Sequence, residues 1–339
     1  MALGQVRITI WAVVAVLLTS AAPSAASKGS SSSNVTIHRD SITHAADKYV
    51  REYWTADRIA NIEHDPIAKE VAAIPADERA RGAEFDGSAV LQSSIGRLFS
   101  TLVDEEDGSE TDSSCTATLV TGKNKATIIT AAHCMTNFGN VTFTKNNLWI
   151  PGFRDGAAPH GRFTVNTIVL SSLWEKGDFS RLSYDHAFLV LNPELDGRTA
   201  QQVLGKGQQV GFGRSLSPHR FQFGYPRYAS QVPPNPPQSG LPAFVGERLA
   251  YCNGTMEHWI SGQGLTGLSC AMGGGASGGP HIQDLDLKTG RGTIVAVNSL
   301  NDIAKVSGED MDHLWGASVT DSSTERLFTI AEGIAPRLK

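Results

Sequence analysis

A serine hydroxyl is a poor nucleophile at neutral pH unless a neighbouring base takes its proton and an acid holds that base in the right tautomer. Three segments of this 339-residue chain carry those residue types. Thr130-Ala131-Ala132-His133-Cys134 places a histidine directly after a strand-like run. Tyr184-Asp185-His186 opens the apolar run Ala187 to Leu191, a costly position for an acid unless its carboxylate is hydrogen-bonded. Ser277 sits within Gly273-Gly274-Gly275-Ala276-Ser277-Gly278-Gly279-Pro280, where glycines allow a sharp turn and N–H groups can point at a developing oxyanion. The N–H groups of Gly275 and Ser277 are the natural donors. Each segment alone is common: a glycine-flanked serine is usually a turn, a histidine before cysteine structural, an aspartate at a strand start a cap. Together they predict two-step acyl transfer. Ser277 attacks, His133 acts as base and then as acid, Asp185 orients it, and water completes the reaction.

Competing chemistry is weaker. Gly275 to Gly279 also fits the G-x-S-x-G elbow of a serine esterase, but that fold runs Ser, acid, His, whereas His133 comes first here. No C-x-x-C or H-E-x-x-H marks a metal site, and no cofactor is expected. His186 and His281 read as structural or exposed, since strand alternation turns them from their neighbours. The run Asp104-Glu105-Glu106-Asp107 reads as a solvated hairpin tip.

The elements that must position these residues are short. Strand-like runs at 97–103, 116–120, 126–130, 141–150, 163–170, 186–191, 208–212, 248–251, 279–282, 293–297 and 314–319 alternate with turn residues and predict an all-β barrel or sandwich. A helix is expected over 322–330, and part of 44–83 looks helical. Pro233 to Pro237 reads as a rigid surface connector. Residues are 40% hydrophobic and 19% charged, enough for a core and too little charge for disorder. The net charge of -5 shows no basic clustering, so nucleic acid is not an expected partner.

Arg7, the apolar run Ile8 to Leu18 and small residues to Ser27 have the order of a secretory signal cut near Ser24-Ala25-Ala26. The mature protein is expected to be extracellular, off the membrane and monomeric. The four cysteines, Cys115, Cys134, Cys252 and Cys270, suit that compartment. Three pairings are possible; sequence-local pairing is favoured, each bond closing a loop of about 20 residues worth roughly 3 kcal/mol. Asn34, Asn140 and Asn253 head N-glycosylation sequons.

Thr130–Cys134, Asp185–Leu191 and Gly275–Pro280 resemble, in order and spacing, the His, Asp and Ser motifs of trypsin/chymotrypsin-like serine peptidases. Ile95 to Phe99, Gly224-Tyr225-Pro226, Tyr251-Cys252-Asn253-Gly254 and Cys270-Ala271-Met272 resemble the bacterial-type V8-like, glutamyl-endopeptidase-like branch. Tyr53 to Arg58 resembles pro-segments of that branch. The resemblance covers about 94–330. It implies two six-stranded antiparallel β-barrels with a C-terminal helix and the triad in the cleft between them. It divides the chain into a signal (1–26), a pro-segment (27–93) and a protease domain (94–336). It implies endopeptidase activity on protein or peptide substrates; a catalytically inactive binding protein on the same scaffold is the alternative. Ala276 stands where animal zymogens carry an Asp that pairs with a new N-terminal amine. Activation must therefore work otherwise, by removing a blocking pro-segment that ends between Arg81 and Ser94. The substrate pocket maps to Ala271, Asn298 and Ser299, polar and uncharged. No carboxylate at Ala271 argues against Lys/Arg preference, and Asn298 in place of a histidine argues against Glu preference.

Overall fold

The computed structural model describes residues 34–62, 82–137, 142–176, 179–215, 219–228, 244–258, 265–306 and 309–338. The signal, its cleavage site, the proline-rich connector and the Asn140 sequon lie outside the described residues. In chain order the elements are β1 (Thr36–Arg39), α1 (His44–Tyr53), α2 (Ala56–Ile62), β2 (Ala83–Glu84), α3 (Ala89–Ser94), β3 (Ile95–Val103), β4 (Glu110–Leu119), β5 (Thr127–Thr130), β6 (Lys145–Pro151), β7 (Phe163–Leu170) and β8 (Ala187–Leu191). There follow α4 (Ala200–Leu204), β9 (Gln209–Val210), β10 (His219–Gly224), β11 (Ala250–Thr255), β12 (Glu257–His258), β13 (Leu265–Ser269), β14 (Pro280–Asp286), β15 (Arg291–Val306), β16 (Glu309–Ser318) and α5 (Ser322–Gly333).

Six strands close a barrel: β3 pairs with β4 and β6, β4 with β5, β5 with β8, β8 with β7, and β7 with β6. The continuous apolar run of β8 has a simple cause, because both its faces are covered. Ala187, Leu189 and Leu191 join Leu98, Trp149 and Phe163 inside the barrel. Phe188 and Val190 face the other way, into a cluster with Phe99, Ile129 and Leu327 of α5. Side chains alternate faces along a strand, so a strand buried on both sides shows no polar partner residues. Asp321 caps α5 by accepting from the Thr324 N–H at 2.9 Å. The acidic run forms the exposed turn between β3 and β4.

The second unit of architecture is an antiparallel sheet in the order β12-β13-β16-β15-β14-β10-β11-β2, with β9 parallel to β15. It curls into a half-barrel. Among the described residues no ladder joins β11 to β13; the Cys252–Cys270 disulfide ties β11 to the residue after β13 instead. The other bond is Cys115–Cys134, so the sequence-local pairing is the one formed.

The described parts of 27–93 are built into both halves. β1 lies beside β7, with Thr36 opposite Leu170 and Arg39 opposite Thr167. Trp54, fully buried, tilts against Phe99 and donates its Nε1–H to the Asn146 carbonyl at 2.5 Å. Arg51 pairs with Asp47 at 2.9 Å and with Glu194 at 3.1 Å. β2 pairs with β11, and Phe85 packs edge-on to Phe223 and Tyr251.

Asp40, after β1, accepts from Asn147 Nδ2 at 2.8 Å, but burial dominates and pushes its carboxyl up to about 7. A carboxyl raised on folding favours the folded state at low pH and loses that advantage as pH climbs from about 4 through 7. Asp40→Asn is therefore expected to melt higher than wild type at pH 8, by about 2–4 °C per kcal/mol relieved, and no higher at pH 4. Thermal melts at the two pH values check this; an unchanged difference between them would remove the titration argument.

Candidate active site

The β5–β8 ladder assembles two of the three expected residues. Thr130, the end of β5, pairs with Ala187, the start of β8. In an antiparallel pair, residues after the first strand's end lie beside residues before the second strand's start. His133, in the 3-10 turn Ala132–Cys134, is thereby set beside Asp185. The Cys115–Cys134 bond fixes that turn to β4. Asp185 accepts twice from His133: its Oδ2 lies 2.7 Å from Nδ1 and its Oδ1 2.9 Å from the backbone N–H. Nδ1 then carries the proton and Nε2 is left as the base.

Burial acts against both charges. It penalises the Asp185 carboxylate, but the His133 ring, the His133 N–H and the Ser299 hydroxyl hold that carboxyl below its usual range. Burial likewise penalises the imidazolium, and Asp185 outweighs it, so the His133 pKa is raised. Asp185 is only 1% exposed and the His133 side chain 20%. The acid is sealed and the base is reachable.

The loop that carries Ser277 meets the closed barrel from the half-barrel side. The Ser277 carbonyl accepts from the Thr116 N–H of β4 at 2.8 Å. Gly278, at φ +77°, lies so close to Thr130 and Thr116 that a Cβ would fall 2.1 Å from Thr130 Oγ1. Only glycine fits there. Thr116 Oγ1 also donates to the Gly275 carbonyl at 2.8 Å and accepts from the Tyr225 N–H at 2.9 Å. Thr116 thus links the closed barrel to the serine loop, a role with no signal in the sequence.

The loop's N–H groups divide cleanly. Ala276 donates to Gly273 O at 3.1 Å, Gly278 to Asn298 O at 2.8 Å and Gly279 to Ala276 O at 3.0 Å. Among the described residues, the Gly274, Gly275 and Ser277 N–H groups have no internal acceptor; those of Gly275 and Ser277 lie on either side of Ala276. Gly275 has φ +96°, the conformation that separates it from its neighbours. Among the described residues no hydrogen bond joins Ser277 Oγ to His133; such bonds are often long until substrate is present. Beside His133 an open groove of about 550 Å³ runs past Leu102 and Thr136, with Asp104 and Glu106 on its rim.

The residues expected to line a substrate pocket have other contacts. Ser299 Oγ donates to Asp185 Oδ2 at 2.5 Å. Asn298 is fully buried, with Nδ2 on the Phe223 and Ala276 carbonyls at 2.9 and 2.8 Å. Ala271 is buried in a cluster with Met272, Cys270 and Phe244. His186 and His281 are both buried; His186 Nε2 meets Thr324 Oγ1 at 2.9 Å, and His281 Nε2 meets Asn298 Oδ1 at 2.9 Å. Cys115, His133 and Cys134 come near one another, but both sulfurs are spent in the disulfide, which leaves no thiolate for a metal.

A closed barrel and a curled half-barrel with this site in the seam are the architecture of trypsin/chymotrypsin-like serine peptidases. The chain is similar to a thermostable serine protease AL20 from an extremophilic microorganism: 25% identity, TM-score 0.58, over 72% of this chain and 99% of that one. It is similar to the protease Anisep from Arthrobacter nicotinovorans: 26% identity, TM-score 0.58, over 75% of this chain and 100% of that one. A Glu endopeptidase shares the fold at 16% identity and TM-score 0.51, over 75% of this chain and 97% of that one. No family model and no curated protein matches the chain.

Proposed function

We propose that this protein is a secreted serine endopeptidase, with Ser277 as nucleophile, His133 as general base and then acid, Asp185 as its orienting partner, and the N–H groups of Gly275 and Ser277 as the oxyanion site. The observation that carries the reading is the pairing of a His133–Asp185 dyad, its acid sealed and its base reachable, with a serine loop whose Gly275 and Ser277 N–H groups are left without internal acceptors. In the reaction, His133 Nε2 takes the Ser277 proton as Oγ bonds to the scissile carbonyl. The carbonyl oxygen gains charge and is held by the two N–H donors. His133 returns the proton to the leaving amine, and water repeats the sequence on the acyl-enzyme. Similarity to solved serine proteases supports peptide bonds as the target.

The signal-like N-terminus and two disulfides support export. No helix among the described residues is long and apolar enough to cross a membrane. If the 81–94 stretch is processed, the start of it suits best, because from Gly82 onward the chain is fixed in the half-barrel by β2 and Phe85.

The test is labelling with a fluorophosphonate probe, alongside Ser277→Ala and His133→Ala, followed by a peptide-library digest. Labelling of wild type, its loss in both variants, and peptide cleavage are expected. Unlabelled, fully processed wild-type protein would overturn the reading in favour of a binding protein.

A further inference from the structure

Behind Ser277 the half-barrel buries a row of polar side chains: Asn298 of β15, His281 of β14, and Gln222 and Arg220 of β10, each at 0% exposure. Polar groups are costly inside a protein unless their hydrogen bonds are met, so the row calls for an account. Among the described residues no carboxylate pairs with Arg220, and burial lowers its pKa to about 10, leaving it a cation at neutral pH. Its Nη1 donates to Thr266 Oγ1 at 2.9 Å and points at His281 Nδ1 from 3.3 Å. A nitrogen facing a cationic donor must offer its lone pair. The ring proton therefore sits on Nε2, 2.9 Å from the Asn298 Oδ1 acceptor. Gln222 Nε2 packs 3.0 Å from the same ring nitrogen and donates to the Leu314 carbonyl at 2.7 Å. With its oxygen thus fixed, the Asn298 amide can only turn its Nδ2–H groups the other way, onto the Phe223 and Ala276 carbonyls.

The Ala276 carbonyl and the Ser277 N–H belong to one planar trans peptide and point in opposite directions. Holding the carbonyl from behind aims the N–H into the site. The Gly275 N–H is aimed the same way, because the Gly274 carbonyl of its peptide accepts from the Arg227 N–H at 2.7 Å. Asn298 adds two backbone bonds to the loop: its carbonyl accepts from Gly278 and its N–H donates to the Gly279 carbonyl, both at 2.8 Å.

We propose that Asn298 is a positioning residue of the oxyanion site: its Nδ2–H bond to the Ala276 carbonyl fixes the peptide that carries the Ser277 N–H, and His281, backed by Arg220, fixes the Asn298 amide. The inference rests on Ser277 being the nucleophile. It explains how the loop is set without a side chain at position 276 to anchor it.

The experiment uses the full chain with Asn298→Ala, Asn298→Asp and Thr266→Val, assayed for kcat and KM on one peptide, for fluorophosphonate labelling rate, and for melting temperature. Thr266→Val removes the hydroxyl that Arg220 Nη1 also meets and leaves the Arg220–His281–Asn298–Ala276 contacts in place. Asn298→Asp keeps the acceptor for His281 and, ionised, has no donor for that carbonyl, so it carries the test if the alanine variant does not fold. Both Asn298 variants are expected to lose about 10- to 100-fold in kcat and labelling rate, a part of what losing an oxyanion donor costs, with KM within about 2-fold. Thr266→Val is expected to lower melting and leave kcat within about 2-fold. Unchanged kcat in a folded Asn298 variant, or kcat falling in step with melting temperature across all three, would overturn the proposal. Absence of labelling in wild type would instead overturn the catalytic reading on which it rests.

Discussion

Asp185→Asn is expected to lower kcat by about 10⁴-fold with the fold intact. The amide keeps an oxygen for the His133 backbone N–H, now at 2.9 Å, but presents an NH₂ to the ring nitrogen at 2.7 Å. The ring must then offer a lone pair at Nδ1, and the proton moves to Nε2, where it blocks acceptance from Ser277. The Ser299 hydroxyl, 2.5 Å from Asp185 Oδ2, loses its acceptor too. The pH profile supplies a second readout. In the proposed mechanism His133 must be neutral to act as base, so kcat/KM is expected to rise with pH as the ring loses its proton. Asp185 raises the His133 pKa, which puts the wild-type midpoint above the ordinary 6.5. Removing the carboxylate is expected to move the residual activity's midpoint down. Steady-state kinetics across pH check both effects; a loss under 10-fold with an unmoved midpoint would make Asp185 a structural acid.

Trp54→Ala is expected to destabilise the protein by about 3–5 kcal/mol. The indole is fully buried, packs on Phe99 of the closed barrel and meets Tyr53 edge-on. Its loss opens a cavity and leaves the Asn146 carbonyl without its donor. Residues around it are cross-braced: Arg162 reaches the Trp54 carbonyl and Asn192 donates to the Ser41 carbonyl at 2.6 Å. Denaturant titration of wild type and variant measures the difference. A change below about 1 kcal/mol would mean that 34–62 rests on the barrel without supporting it.

The candidate site was legible because its chemistry is local in sequence. A histidine after a strand, an acid before one and a serine among glycines can each be recognised singly, and one ladder step, Thr130 to Ala187, brings the first two together. The disulfides and α5 were legible for the same reason. What hid was burial of polar residues. β10 reads His219-Arg220-Phe221-Gln222-Phe223-Gly224, and it escaped because Arg220 and Gln222 point into the half-barrel while Phe221 and Phe223 pack on the opposite face. The usual polar-out pattern is inverted there. β13, Leu265-Thr266-Gly267-Leu268-Ser269, hid behind small and polar residues, and β1 and β2 are short strands added at sheet edges. The contacts of Asn298 and Ser299 were out of reach of sequence too, since a hydroxyl bound to a residue 114 positions away leaves no local trace.

The two disulfides each close within one half, Cys115 to Cys134 in the barrel and Cys252 to Cys270 in the half-barrel. No covalent bond among the described residues other than the chain itself spans the seam; hydrogen bonds to Thr116 of β4 and the close approach of Gly278 to Thr130 hold the serine loop to the closed barrel. The reactive array therefore has no single owner. During synthesis His133 and Asp185 are made before Ser277, but the hydroxyl that Asp185 accepts from, on Ser299 of β15, and Leu327 of α5, which covers the barrel's outer face, come after it. On the proposed reading the three residues meet only when the two halves do, so the chain would become reactive at the last step of folding.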